Sequence, residues 1–128
     1  IAIQNGKLNN YSGKHRIIAG DAFIELKNLI KNRVTFDVVV IDPPSFAKQA
    51  SEIDLAKKKY AQLAQLGEQL TAKNGLLVLA SCSSRVLSQG FFDVNNQSLK
   101  KTKRSYKIIL KYLKYWYYHY PYRLIQSY

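Results

Sequence analysis

The stretch Phe36-Asp-Val-Val-Val-Ile-Asp-Pro-Pro-Ser-Phe46 decides the reading of the fold. Val38, Val39, Val40 and Ile41 are four consecutive β-branched residues, the pattern of a strand buried on both faces of a parallel sheet. Pro43 and Pro44 cannot donate to a sheet ladder, so the strand stops at Asp42. A carboxylate is thereby left at a strand tip. Two residues of fixed φ follow it, and their carbonyls are free to face a ligand. Residues 45–54 read as a loop.

Upstream, residues 1–10 have a helical look, broken by Gly6 and then by Tyr11-Ser12-Gly13. His15–Ala19 suits a short strand and Gly20-Asp21 a turn. Residues 22–31 carry Phe23, Leu26, Leu29 and Ile30 at the 3.6-residue rhythm of an amphipathic helix. Downstream, residues 55–71 form a helix with Leu63, Leu66 and Leu70 on one face. Lys73-Asn74-Gly75 ends it with a residue suited to positive φ. Leu76–Ala80 is another buried strand, Ser81-Cys82-Ser83-Ser84 follows, and residues 86–99 read as a helix. The β-α-β-α-β-α order predicts an α/β fold, a mostly parallel sheet flanked by helices. Ligands of open α/β sheets bind beyond the carboxyl ends of the strands. Asp21, Asp42-Pro43-Pro44-Ser45 and Ser81-Cys82-Ser83 all fall at such ends.

The chain has 128 residues, room for one small domain, and 47% of them are hydrophobic. It begins with Ile1 and has no Met, which reads as a fragment or a processed piece. The net charge is +12, and it is uneven. Residues 1–98 hold 12 Lys/Arg against 8 Asp/Glu, whereas residues 99–128 hold 8 Lys/Arg and no acid. A basic surface attracts polyphosphates such as nucleic acid, and a solvated face is the plainer reading. The single cysteine excludes a disulfide framework, and no Cys/His metal cluster is available. A reducing cytoplasm is the simplest compartment. No signal peptide is visible, and no apolar run approaches the roughly 20 residues of a membrane-spanning helix.

Two positions stand out chemically. Phe46, next to the Asp42 carboxylate, either stacks on a planar base or is a buried ring in a strand-ending turn. Cys82 is either a nucleophile or a small buried hydrophobe. His15 and His119 have no partners at catalytic spacing. Lys57-Lys58-Lys59 reads first as a solvated helix face.

Phe36–Lys48, Tyr60, Gly75-Leu-Leu-Val-Leu-Ala-Ser-Cys-Ser-Ser-Arg-Val86 and Phe91-Phe92 together resemble the bacterial 23S rRNA cytosine-C5 methyltransferase family and its relatives. The likeness extends back to Ala2, Asn5, Leu8 and Asn9 and fades after residue 98. It implies the C-terminal half of a class I methyltransferase catalytic domain over residues 1–98, with a partial Rossmann-like fold. It also implies S-adenosylmethionine as methyl donor and RNA, ribosomal RNA above all, as partner, with no metal and no membrane. Asp21, Ala22 and Phe23 would meet the adenine end of the cofactor. Asp42, Pro43 and Pro44 would form the wall where methyl donor and base meet. Ser45, Phe46 and Tyr60 would face substrate, and Asp42 would orient the base or act on its proton. Cys82 would add to C6 of cytosine, so that C5 becomes able to take a methyl group. A Gly-rich cofactor loop is not found in the chain, so the chain alone is expected to bind cofactor weakly and to be inactive.

Residues 99–128 form a basic tail. Tyr106–Tyr128 holds 8 of the 10 tyrosines and the only Trp, and it fits neither helical nor strand periodicity. Family members end with an Asp-His-Pro turn and a Tyr-Leu-Lys strand, of which only Tyr118-His119-Tyr120-Pro121 is an echo. The tail reads as an arm that stacks on RNA, as a surface for membrane or partner, or, as its composition favours, as a frameshifted or disordered segment. Two rivals accompany the methyltransferase reading. One is a methyltransferase acting at another position or on a small molecule, with Cys82 inert. The other is a non-catalytic RNA-binding remnant that uses Lys100–Arg104 and the tail.

Overall fold

A computed structural model describes residues 2–8, 12–110 and 122–127. Its elements run α1 (Ala2–Leu8), α2 (Ala22–Lys31), β1 (Phe36–Ile41), a 3-10 turn at Ala50–Glu52, α3 (Ile53–Leu70), β2 (Thr71–Ala80), α4 (Ser88–Lys100), β3 (Tyr106–Leu110) and β4 (Tyr122–Ser127). The four strands form one sheet in the order β1-β2-β4-β3. β1 and β2 are parallel, and β4 lies antiparallel between β2 and β3. Three strands therefore share a direction and one opposes them, in an α/β fold whose β1–β2 pairing is parallel and whose two pairings with β4 are antiparallel.

The core lies between the sheet and α3. Val39 of β1 and Leu77 and Leu79 of β2 pack with Ala56, Tyr60, Ala64 and Leu70 of α3, and Phe91 and Leu99 of α4 close the cluster. Alternate residues of a strand face opposite sides. Val38 and Val40 accordingly lie on the other side of β1, where both are exposed. The expectation of a strand buried on both faces thus holds for one face only. Ser98 on α4 donates to the Ala61 carbonyl on α3 at 2.7 Å, which ties the two helices together.

Several local expectations need correction. Residues 15–19 pair with no strand among the described residues, and Ile17 and Ile18 are exposed. A strand needs a neighbour's ladder, and none lies beside this segment among the described residues. α3 begins at Ile53 and ends at Leu70, where the Thr71 hydroxyl donates to the Gly67 carbonyl at 2.7 Å. The chain then enters β2 directly, so Lys73-Asn74-Gly75 is part of β2 rather than a helix stop. Asn74, not Gly75, takes the positive φ, at 62°. The tail also differs from its reading, because Tyr106–Leu110 and Tyr122–Ser127 supply two of the four strands. A deletion of residues 99–128 would therefore remove half the sheet, and it could not isolate an RNA-binding role. The aromatic run from Lys111 to Pro121, with His119, lies outside the described residues, as do Ile1 and residues 9–11. No described helix is long and apolar enough to cross a membrane.

Candidate active site

The site forms where β1 and β2 end side by side. Ile41 pairs with Leu79 in the parallel register, so the segments after Ile41 and after Ala80 emerge together. Asp42 leaves β1 exposed, with Pro43 half-buried and Pro44 exposed. Cys82 leaves β2 exposed, and its thiol lies 3.8 Å from the Pro43 carbonyl oxygen, to which it donates. The buried-hydrophobe reading of Cys82 is thereby set aside.

A polar network underlies this contact. The Ser81 hydroxyl donates to the Tyr60 hydroxyl at 2.9 Å and accepts from the Ser83 amide at 3.2 Å. The Ser83 hydroxyl in turn accepts from the amides of Arg85 and Val86 at 3.3 and 3.2 Å. These short side chains fold the segment after β2 into a local turn, as serines do outside helices. Arg85 is exposed beside it, and α4 begins only at Ser88, further from Cys82 than the sequence suggested.

On the other segment, the Ser45 hydroxyl donates to the Ala47 carbonyl at 3.1 Å. Glu52 fastens the exit of this segment, its carboxylate accepting from the Lys48 and Gln49 amides at 2.7 and 3.0 Å. Those two bonds favour the charged form and lower the Glu52 pKa.

A row of rings joins the pieces. Phe23 lies 6.3 Å from Phe46, Phe46 5.0 Å from Tyr60, and Tyr60 5.0 Å edge-on from Phe91. The Lys59 ammonium sits 5.1 Å from the Phe46 centroid, a cation–π contact that the reading of Lys57–Lys59 as a solvated face missed. Phe46 is therefore a half-buried wall with several neighbours. Tyr60 is 2% exposed and packs against Phe46 as part of the core. Burial raises the Tyr60 pKa above its usual value. Hydrogen bonds from Ser81 and the Phe46 amide oppose the rise, and the nearby Cys82 and Asp42 add to it.

Asp21 is the N-cap of α2, its carboxylate accepting from the Ile24 amide at 3.1 Å while remaining exposed. Ala22 is exposed in the first turn, and Phe23 connects that turn to Phe46. The structure thus brings Asp21, Ala22 and Phe23 toward the segment of Asp42, Pro43, Pro44, Ser45 and Phe46, with Cys82 against Pro43. Sequence reasoning placed Ser81 and Ser83 at a strand end without their bonds, read Lys59 only as part of a solvated face, and passed over Glu52. Their only signal was a serine-rich run and a Glu three residues after Gln49.

No protein-family model matches the chain. It is 31% identical over 110 residues to a ribosomal RNA large subunit methyltransferase of Deinococcus radiodurans, covering 85% of this chain and 27% of that protein. It is 32% identical over 109 residues to ribosomal RNA large subunit methyltransferase I of Shewanella frigidimarina, covering 84% and 28%. Its sequence relatives are methyltransferases of large-subunit ribosomal RNA. Two solved methyltransferase structures share the fold at 19% identity, each covering 98% of this chain. One, S-adenosylmethionine-dependent and from Streptococcus mutans, has a TM-score of 0.75 and is covered over 34% of its length. The other, in complex with SAH, has a TM-score of 0.74 and is covered over 35%. The chain thus spans about a quarter of the length of these sequence relatives.

Proposed function

We propose that this chain is the catalytic-site portion of an S-adenosylmethionine-dependent ribosomal RNA methyltransferase that modifies C5 of a cytosine, with Cys82 as nucleophile and Asp42 beside the base. The observation that carries this reading is the exposed Cys82 thiol against the Pro43 carbonyl, at the joint end of two parallel strands.

The residues present fit the adenine end of the cofactor. An exposed carboxylate at the start of α2, the amides of that first turn, and the Phe23–Phe46 wall form one continuous surface. Asp21, Ala22 and Phe23 would hold that end, and Asp42, Pro43 and Pro44 would flank the reacting groups. S-adenosylmethionine supplies an electrophilic methyl group. Cytosine C5 is a poor nucleophile toward it. The Cys82 thiolate adds to C6, and the electron pair of the C5–C6 double bond then becomes available at C5. Asp42 orients the base. Once C5 is methylated, a base takes the C5 proton and the C6–S bond breaks, which restores the ring and frees the thiol. The exposed Lys58 suits contact with an RNA phosphate.

The test is Cys82→Ala in the complete protein that carries this chain. Methylation of cytosine in ribosomal RNA is expected to be abolished while cofactor binding persists. Full activity in the variant would overturn the cytosine chemistry and favour transfer to another position, with Cys82 inert.

A further inference from the structure

We propose that Tyr60 is a positioning residue of this site: its buried side chain, ring against Phe46 and hydroxyl bonded to Ser81, is a strut between the Asp42–Phe46 and Ser81–Ser83 segments, and it sets the spacing that places Cys82 against Pro43. The proposal rests on the reading of those segments as the catalytic pair.

The ring contacts of Tyr60 with Phe46 and Phe91 would serve equally well for a phenylalanine. The hydroxyl needs a separate reason. A buried hydroxyl without a partner is destabilising, so its partners matter. Ser81, 21 residues away at the end of β2, donates to it at 2.9 Å. Toward the other segment, the Tyr60 ring packs on Phe46 with centroids 5.0 Å apart. Ser81 is itself fully buried, at 1% exposed, and it accepts from the Ser83 amide, so the network passes directly beneath Cys82. Cys82 contributes only its thiol contact to Pro43. The two segments are thus joined at two points. One is the weak contact of the exposed Cys82 thiol with Pro43, and the other runs through buried Tyr60, whose ring packs on Phe46 and whose hydroxyl accepts from Ser81. The buried joint is the stiffer, because its groups have no water to turn to.

Tyr60→Phe keeps the ring and breaks the strut at its hydroxyl, Ser81→Ala removes the partner of that hydroxyl, and Leu63→Ala is a core truncation on the same helix that leaves the strut intact. Two readouts are taken on the complete protein well below its unfolding temperature. The first is amide hydrogen exchange of the peptides spanning 42–48 and 81–86. Both are expected to exchange faster in Tyr60→Phe and in Ser81→Ala, and neither in Leu63→Ala. The second is steady-state methyl transfer. A loss of about ten- to a hundredfold in kcat is expected, as for misplaced reacting groups, with KM for cofactor little changed. The double variant is expected to be no slower than the slower single one, because one interaction is lost in each. Faster exchange in one segment alone, additive losses in kcat, or a lower melting temperature with kcat intact would overturn the strut. If the parent protein transfers no methyl group to RNA, the functional reading fails, and the exchange measurement still decides the strut.

Discussion

Gly75 shows what one residue contributes to the geometry of the site. A Cβ there would stand 2.9 Å from the Ala72 and Asp37 carbonyl oxygens and from Thr71 Cγ2. Two of those three atoms belong to the backbone, so little can yield. The close approach falls in the irregular stretch where the β1–β2 register jumps between Phe36 and Val38. Beyond it the strands run in register to Ile41 and Leu79 and deliver Asp42 and Cys82 to the same end. Gly75→Ala is expected to destabilise the protein by about 1–3 kcal/mol, the usual cost of overpacking. It should cost more than Gly67→Ala, where the Cβ meets the ends of the Leu77 and Ile41 side chains. Urea unfolding of the two variants checks the order. The sequence marked Lys73-Asn74-Gly75 as a helix stop with a positive φ, and the structure keeps the positive φ but places it inside β2. The residue that takes it was not legible, because Asn tolerates the left-handed region and Gly75 is required for space instead.

At the scale of elements, Arg104 joins the end of α3 and the start of β2 to the segment before β3. Its guanidinium donates to the carbonyls of Glu68, Thr71 and Ala72 at 3.1, 2.5 and 2.6 Å, and it stands 3.7 Å from the Glu68 carboxylate. Arg104 therefore does not belong with the exposed lysines of a phosphate-binding patch, where the basic run Lys100–Arg104 had placed it. A single sequence shows the charge of such a residue and not the carbonyls that it serves. The two strands after it were hidden for a related reason. β4 lies between β2 and β3, and its pattern reflects two neighbours that no local period reveals. α2, β1 and α4, by contrast, were legible to within a residue or two, α2 from the helical spacing of Leu26, Leu29 and Ile30, which pack half-buried against the core, and β1 from its run of β-branched residues. Arg104→Ala is expected to cost about 2–4 kcal/mol, since it strips bonds from three carbonyls and leaves Glu68 unpaired. The loss should depend on pH. Burial raises the Glu68 pKa above its ordinary 4.5, and Arg104 opposes the rise. The folded state thus holds that proton more tightly than the unfolded chain does. The contribution of Glu68 to stability is fully present below the unfolded pKa, and it is lost as pH rises through the folded one. Without Arg104 the folded pKa climbs further and more stability is lost on ionisation. The penalty of Arg104→Ala should therefore be larger at neutral pH than below pH 4.5, as measured by unfolding midpoints across that window.

Across the whole molecule, the described helices leave one face of β1 bare. Phe36, Val38 and Val40 of β1 are 43, 57 and 61% exposed, whereas Val39 between the two valines is 7% exposed. β1 also has a single strand partner among the described residues, so its outer edge offers unpaired amides and carbonyls. A run of four β-branched residues is suited to burial on both sides, and here it meets cover on one. In the solved structures that share this fold, the matched part is 34–35% of the polypeptide, and most of each chain lies outside the match. Residues 1–128 produced alone are expected to self-associate through this face despite a charge of +12, because the repulsion is long-ranged and screened by salt. Light scattering over a range of salt concentrations should show larger species as salt rises, with binding of a hydrophobic dye. Val38→Lys with Val40→Lys should suppress both effects while leaving the core face at Val39, Leu77 and Leu79 intact. A parent chain that stays monomeric and dye-silent at all salt concentrations would show that the face is covered in solution.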